Sequence, residues 1–249
     1  AILESGVITE ANQVEVFTIL KEIPQCAGDD TDGAYNSLKA ILESGVITKA
    51  NYKEVLKDFA TILKEIPRYA GTNTDRAYNS LTALLKSGLI TDTNYKEVLK
   101  DFATILKEIP QYAGWHSGRA YSSLETLLKS GLVTKTNQKE AFALLKEIPR
   151  YAGTNTDSAY YSLRDLLTLM KQKNLALDQN TLTVILDMIR QGDKGQGVID
   201  TLKAIMDFIS ANVRDPAVDV EPGSSSSLGA LLSPIPMQLP ATKTIRSGL

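Results

Sequence analysis

The stretch NYKEVLKDFATILKEIP occupies residues 51–67 and recurs letter for letter at residues 94–110. Shorter relatives, ANQVEVFTILKEIP and TNQKEAFALLKEIP, occupy residues 11–24 and 136–149. The prolines that end the four copies are 43, 43 and 39 residues apart, so the chain is a tandem array. The short copies lack four residues, which is close to one helical turn. A deletion of that size preserves the phase of an apolar stripe and therefore indicates a helix.

The apolar residues of the second copy also follow helical spacing. They recur at steps of three and four, with charged residues between them, which is typical of an amphipathic helix. The stripe comprises Tyr52, Val55, Leu56, Phe59, Ile62, Leu63 and Ile66. We expect Thr48 to cap the start of this helix, with Asn51 three residues later as a weak capping box. We expect Pro67 to stop or kink it, and Gly71 to provide a left-handed cap.

A second helix follows in each repeat. Thr74 is its expected N-cap, Asp75 favours the positive end of the helix, and Gly88 ends it. Its predicted inner stripe comprises Ala77, Tyr78, Leu81, Leu84 and Leu85. Each repeat is therefore a helix hairpin, which cannot bury its apolar stripes alone. The sequence predicts an all-α fold, a right-handed α-solenoid in which antiparallel helix pairs stack into a superhelix and an extended C-terminal tail follows.

The array divides into three regions. Tandem repeats cover residues 1–164, as hairpins at 1–39, 40–82, 83–125 and 126–164. Residues 165–213 diverge from the repeat and are predicted to cap the array, since a terminal face meets water. Residues 214–249 form a Pro/Ser/Gly-rich tail. Such a tail is typically disordered. The alternative is that it docks as an extended peptide, on this chain or a neighbour, through Leu228, Leu231, Leu232, Ile235, Met237 and Leu239.

Two resemblances follow from these repeats. A two-helix unit of this length resembles the HEAT and armadillo class of α-solenoids. The segments SGVITKAN, SGLITDTN and SGLVTKTN at residues 44–51, 87–94 and 130–137 are similar to helical repeats of large secreted effectors of intracellular bacteria. The second resemblance implies binding to host proteins. The expected location is the cytoplasm, or a host cell if the chain is an effector. Because residues 1–6 align with 40–45, we also expect a fragment of a longer array.

Composition argues against several function classes. A formal net charge of −2 does not favour nucleic-acid binding, which usually relies on a basic surface. No apolar run approaches the roughly 18 residues of a membrane span. With one cysteine, Cys26, and one histidine, His116, neither an internal disulfide nor a Cys-rich or His-pair metal site is expected. Cys26 takes the place of a repeat tyrosine and is expected to pack half-buried. No cofactor or metal is predicted.

The repeated carboxylates do not indicate catalysis. Glu54, Asp58 and Glu65 lie among lysines on the polar face of the helix. Their repetition in other copies favours a solvated, ion-paired face over an acid–base pair. Nothing marks a catalytic triad around His116, and no phosphate-binding glycine loop is present. The sequence therefore predicts a protein that is not an enzyme.

The strongest departure from the repeat lies in the loop between the two helices. Where other copies read GDDTD or GTNTD, the third reads GWHSG, with Trp115, His116 and Gly118. Gly118 replaces an aspartate and weakens the helix start. One interpretation is neutral change in a tolerant loop, with Trp115 packed against the next hairpin. The other is a partner-binding site at the loop edge, because Trp is enriched at interface hot spots. Its predicted residues are Trp115, His116, Asn73, Thr74, Asn155 and Thr156.

The predicted function is thus a non-catalytic protein-binding scaffold, and two alternatives stay open. The first is a self-assembling element that forms a homo-oligomer through its repeat ends or its tail. The second is a helical-repeat RNA binder, in which tyrosines that recur once per copy stack on bases. Those tyrosines are Tyr35, Tyr78, Tyr121 and Tyr160. Seam-filling tyrosines and near-neutral charge favour the protein-binding interpretation.

Overall fold

The computed structural model describes residues 10, 13–27, 30–48, 50–191, 193–213 and 226–227. These residues form an all-α fold with one pair of two-residue strands, which confirms the predicted all-α class and is compatible with a helical repeat. The helices are α1 (Gln13–Ala27), α2 (Thr31–Glu43), α3 (Tyr52–Ala70), α4 (Thr74–Lys86), α5 (Tyr95–Ala113), α6 (Ser117–Lys129), α7 (Gln138–Ala152), α8 (Thr156–Gln172), α9 (Gln179–Gln191) and α10 (Gln196–Asn212). The strands are β1 (Leu175–Ala176) and β2 (Ser226–Ser227).

The helices contact one another in a regular order. Each odd-numbered helix packs on the next odd-numbered helix, from α1 to α9, and each even-numbered helix packs on the next even-numbered one, from α2 to α10. Consecutive helices such as α3 and α4 also pack together as a hairpin. The buried apolar side chains form a single core cluster that runs from Val16 in α1 to Ile209 in α10. Every hairpin therefore depends on its neighbours for burial, as the sequence predicted.

The predicted apolar stripes face this core. In α3, Val55, Phe59 and the other stripe residues are buried, while Tyr52 at the helix start is half-buried. In α4 the whole predicted stripe is buried, including Tyr78 with no exposed surface. Helical spacing alone thus identified the side of each helix that faces the core.

Proline does not stop the helix, which was one of the two outcomes predicted for it. Helices α3, α5 and α7 each continue three residues beyond Pro67, Pro110 and Pro149. A proline within a helix has no N–H to donate to the carbonyl four residues earlier. The repeat tyrosine supplies that donor instead. Its hydroxyl bonds the freed carbonyl oxygen in three hairpins, as Tyr78 to Leu63 at 3.0 Å, Tyr121 to Leu106 at 3.1 Å and Tyr160 to Leu145 at 2.8 Å.

The helix start at Thr48 also differs from the prediction. Helix α3 begins at Tyr52, so Asn51, not Thr48, takes the capping position. The Asn51 side chain folds back over the preceding loop: its Oδ1 accepts from the Thr48 N–H at 2.7 Å, and its Nδ2 donates to the Val46 carbonyl at 2.9 Å. Asn94 closes the next loop in the same way. The recurring Thr–Asn spacing is therefore a loop-closing device.

The divergent region 165–213 completes the core at the C-terminal side. Helix α9 packs on α7, and α10 packs on α8. Asp178 is an N-cap of α9, because its Oδ1 accepts from the Thr181 N–H at 2.7 Å. Gly71, the expected left-handed cap, has φ +53°. Among the described residues, none of the helices has the length and apolar character that crossing a membrane requires.

Several predictions fall outside the described residues. Residues 1–9, the side chain of Cys26 and most of the tail belong to this group. The tail leucines, isoleucine and methionine proposed to dock also lie there. Of residues 214–249, the structure describes Ser226 and Ser227, which pair with β1 in parallel.

Candidate partner-binding site

The predicted loop edge is built from three similar turns. Gly71–Asn73, Gly114–His116 and Gly153–Asn155 each form one turn of 3₁₀ helix before an even-numbered helix. Their glycines have φ near +50°, a region that favours glycine. The turns therefore place equivalent residues of successive hairpins along one edge of the molecule.

Two of the predicted contact residues hold the turns together. The Thr74 hydroxyl donates to the Gly71 carbonyl, and the Thr156 hydroxyl to the Gly153 carbonyl, both at 2.6 Å. Both side chains are buried. Their hydroxyls satisfy loop carbonyls and are not presented to a partner, so the prediction that Thr74 and Thr156 contact a partner has no support in this geometry.

Trp115 is the opposite case. Its relative exposure is 101%, which makes it the most exposed large apolar side chain among the described residues. The turns before and after carry Thr72 and Thr154 at this position. The tryptophan is therefore a departure that the turn does not require, placed fully in solvent.

The residues beside Trp115 connect consecutive hairpins. His116 Nδ1 lies 2.9 Å from Asp157 Oδ1 of α8. One hairpin earlier, Asn73 Nδ2 donates to Ser117 Oγ at 3.2 Å. Asn155 is half-buried, and its amide lies next to Gly195 of the divergent unit. Of the six predicted residues, Trp115 is thus fully exposed, whereas His116, Asn73 and Asn155 are half-buried and lie against the next hairpin or the divergent unit.

A second aromatic group lies on the same side of the molecule and was not predicted. Tyr161 is 43% exposed and stands where α4 and α6 have Asn79 and Ser122. The Arg119 guanidinium of α6 lies 4.6 Å from the Tyr161 ring centroid, within cation–π range. The replacement of a small polar repeat residue by tyrosine was the sequence signal that identifies it.

These side chains define a continuous strip between two helices. On α8, Asp157, Tyr161 and Arg164 are spaced four and three residues apart and so share one face. His116, in the turn before α6, and Arg119, on α6, face them, with His116 against Asp157 and Arg119 over Tyr161. Arg164 lies 5.9 Å from the same ring. We call these residues the α6–α8 strip; Trp115 adjoins its His116 end.

The opposite surface, formed by odd-numbered helices, carries ion pairs between hairpins. Glu22 pairs with Lys64 at 2.8 Å, and Glu54 with Lys96 at 2.6 Å. The Lys96 ammonium lowers the pKa of Glu54 below its usual range, chiefly through this hydrogen bond. Glu108 with Lys146 and Glu147 with Arg190 continue the series. Glu54 is thus charged and paired across hairpins. Among the described residues, no group of three His, Cys, Asp or Glu residues suits a metal ion.

The tyrosines that suggested RNA stacking are not surface residues. Tyr78, Tyr121 and Tyr160 have no exposed surface, and Tyr35 packs partly buried against the core. Burial raises the pKa of Tyr121 and of Tyr160 above the usual tyrosine range. Base stacking requires an accessible ring face. The observation that supported RNA binding is therefore explained by packing.

No family model matches the sequence, and no curated protein or solved structure matches it either.

Proposed function

We propose that the protein is a non-catalytic protein–protein interaction scaffold. In this proposal its helix hairpins stack as a right-handed α-solenoid of the HEAT/armadillo kind, and its partner contacts Trp115 and the α6–α8 strip. The observation that supports this surface best is the complete exposure of Trp115. A partner that covers this side chain removes its exposed apolar surface from water, and this burial favours binding.

The neighbouring side chains fit the same role. Trp, Tyr and Arg are the residue types enriched at hot spots of protein interfaces, and the surface combines Trp115, Tyr161 and Arg119. Arg119 and Arg164 outnumber the single carboxylate of Asp157, so the strip favours a partner segment with acidic side chains.

The scaffold also positions this surface firmly. His116 is bonded to Asp157, and Arg76 Nη1 donates to the Gly118 carbonyl at 3.1 Å. These contacts join successive turns, so the loop edge is fixed by helices on both sides. A site held on rigid elements loses little conformational entropy when a partner binds. The proposed setting is the cytoplasm, or a host cell if the chain is part of a secreted effector.

The test compares capture by the intact chain with capture by two variants. Trp115→Thr introduces the residue that the neighbouring turns already carry, so the fold is unaffected. The control Thr72→Trp/Trp115→Thr moves the tryptophan to the equivalent turn one hairpin earlier, at constant composition. We expect the intact chain to capture a protein from an extract of the native setting or its host. Both variants are expected not to capture it. Equal capture by Trp115→Thr contradicts the proposed surface, and equal capture by the transplanted variant indicates a generally adhesive tryptophan.

Self-assembly is the second candidate function, and one observation favours it. Val14 and Phe17 on α1 are 67% and 41% exposed, which places two large apolar side chains at one end of the helix stack. Stacking of a second copy against α1 would bury them. Sedimentation over a hundredfold concentration range tests this: a mass that rises with concentration, and that Val14→Ser/Phe17→Ser keeps at the monomer value, supports assembly. A constant monomer mass rejects it.

A further inference from the structure

We propose that β1 and the pocket beside it form a docking site for an extended peptide, and that its occupant is this chain's own segment from Ser226 onward. The site differs from the α6–α8 strip and does not depend on the proposed scaffold function. Main-chain pairing supplies the recognition, as when a peptide adds a strand to an exposed edge.

The pairing itself is the first observation. Leu175 pairs with Ser226 and Ala176 with Ser227, in parallel. The loops before α5 and α7, which the structure describes in full, carry no strand, so β1 sets the divergent unit apart from them. A lone two-residue strand leaves its N–H and C=O groups unpaired unless another segment lies alongside. The tail segment provides those partners.

The second observation is a pocket of 560 Å³ at the same place. One wall is the loop of the fourth hairpin, including Gly131, Leu132 and Thr134; the other includes Asn174 and Ala176. Such a volume accommodates several side chains of an extended peptide. Because its second wall contains β1, the pocket adjoins the strand pair.

Asn137 fixes the two walls to each other. Its Oδ1 accepts from the Thr134 N–H at 2.7 Å, as the equivalent asparagines do in earlier loops. Its Nδ2 donates to the Leu132 carbonyl at 2.9 Å and also to the Leu177 carbonyl of the second wall. The side chain is 1% exposed, so these hydrogen bonds between the two walls are buried. The pocket is therefore preformed by the junction between regular and divergent units.

The sequence explains why the pocket occurs at this junction. The loops of regular repeats turn at Gly45, Gly88 and Gly131, each with φ between +75° and +78°. The divergent loop turns at Asn174, with φ +51°, and then runs through Leu175 and Ala176 into the N-cap Asp178. The divergent loop thus carries a short strand edge, whereas the regular loops before α3 and α5 are closed by the side chains of Asn51 and Asn94.

The chain's own tail is the occupant that the connection favours. Residues 213–225 supply 13 residues between the end of α10 and Ser226. A short tether holds the segment at an effective concentration on the order of millimolar. After Ser227 the sequence continues LGALL, at residues 228–232, and the pocket offers it a mixed lining: apolar groups such as Leu132 and Ala176, and polar groups such as Thr134 and Asn174 that can bond a peptide backbone. Pairing within one chain is thus favoured over pairing between copies.

The test uses two double variants of the full chain, Ser226→Pro/Ser227→Pro and Ser226→Ala/Ser227→Ala. Successive N–H groups of a strand point to opposite sides, so one of these two residues donates toward β1. The proline pair removes that donor, whereas the alanine pair keeps it and removes only the hydroxyls. We expect amide exchange at residues 175–177 to accelerate about tenfold or more in the proline pair and to stay unchanged in the alanine pair. Equal exchange in both variants overturns the proposal.

A synthetic peptide of residues 222–239 provides the second measurement. In the proline variant the site is open, so we expect the added peptide to bind and restore protection at residues 175–177. Failure of the peptide to restore protection overturns the proposal. The intact chain occupies its own site and is expected not to bind the peptide. If protection in the intact chain instead falls on dilution while sedimentation shows dimers dissociating, the occupant comes from a second copy and the intrachain assignment is wrong.

Discussion

Gly118 is a glycine that helix propensity disfavours and that contacts between hairpins explain. The neighbouring repeats carry Asp75 and Asp157 at this position, and by helix-start rules the glycine is a loss. In the structure, a Cβ at Gly118 would lie 2.4 Å from Asn73 Oδ1 and 3.1 Å from Arg76 Nη1. The missing side chain makes room for Asn73 to reach Ser117 and for Arg76 to reach the Gly118 carbonyl.

This packing makes a prediction about Gly118→Ala. Alanine normally stabilises a helix by roughly 0.5–1 kcal/mol relative to glycine. We expect no such gain in the intact chain, because the new Cβ displaces Asn73. In an Asn73→Ala background the obstruction is reduced and the gain should appear. Urea unfolding of the four chains measures the coupling, and an identical effect of Gly118→Ala in both backgrounds contradicts it.

At the scale of the helix, proline and tyrosine act as a pair. Pro110 leaves the Leu106 carbonyl without its usual donor, and the Tyr121 hydroxyl reaches it from the next helix at 3.1 Å. The arrangement recurs for Pro67 with Tyr78 and for Pro149 with Tyr160, and the tyrosine always follows the residue whose carbonyl it bonds by 15 positions. The four-residue deletions therefore leave this unit intact. The proline allows a packing contact between the two helices of a hairpin to satisfy a backbone group.

A double-mutant cycle tests this pairing. Tyr121→Phe leaves a buried carbonyl unsatisfied and should lower the free energy of unfolding by about 1–3 kcal/mol. In a Pro110→Ala background, the restored N–H satisfies the same carbonyl, so Tyr121→Phe should cost about 1 kcal/mol less. Denaturant unfolding of all four chains gives the coupling. Equal losses in both backgrounds would show that the hydroxyl and the proline are independent.

The buried tyrosines also predict how stability depends on alkaline pH. Burial raises the pKa of Tyr121 and Tyr160 in the folded chain, whereas the unfolded value is about 10. A raised folded pKa means that the unfolded chain releases protons first, so stability is complete below pH 10 and falls as pH rises above it. We expect the unfolding midpoint to decrease above pH 10. The decrease should be smaller in Tyr121→Phe; an unchanged slope in that variant contradicts the assignment.

These elements also show which features a sequence reveals. Period and apolar spacing gave the helices and their buried sides, because both follow from local geometry. The expected end of the helix at Pro67 does not occur. The donor that compensates for the proline, the Tyr78 hydroxyl, lies on another helix and is not visible in the local sequence. Trp115 was found because it breaks the repeat. Tyr161 breaks it too but was missed, because its contact with Arg119 forms only when α6 and α8 pack together.

At the scale of the molecule, stability comes from contacts between neighbouring hairpins. The buried cluster is continuous, whereas the ion pairs between odd-numbered helices, such as Glu22 with Lys64, join partly exposed side chains. Exposed pairs contribute roughly 0–1 kcal/mol and are screened by salt. The apolar faces of the last regular hairpin, α7 and α8, are covered by α9 and α10. The divergent unit thus matters because it keeps these faces from water.

Two truncations separate that role from the role of the tail. A chain that ends at Lys173 lacks α9 and α10 and exposes side chains such as Leu144, Ile148 and Leu163, which are fully buried in the intact chain. We expect it to unfold at a lower denaturant concentration and to bind a hydrophobic dye, because terminal repeats without a polar outer face are unstable in water. A chain that ends at Val213 keeps both helices, and we expect its free energy of unfolding to stay within about 1 kcal/mol of the intact protein's, since none of the helices α1 to α10 is lost. If the two truncated chains unfold together, the divergent unit does not cap the array, and the hairpins before it must be stable without a neighbour on that side.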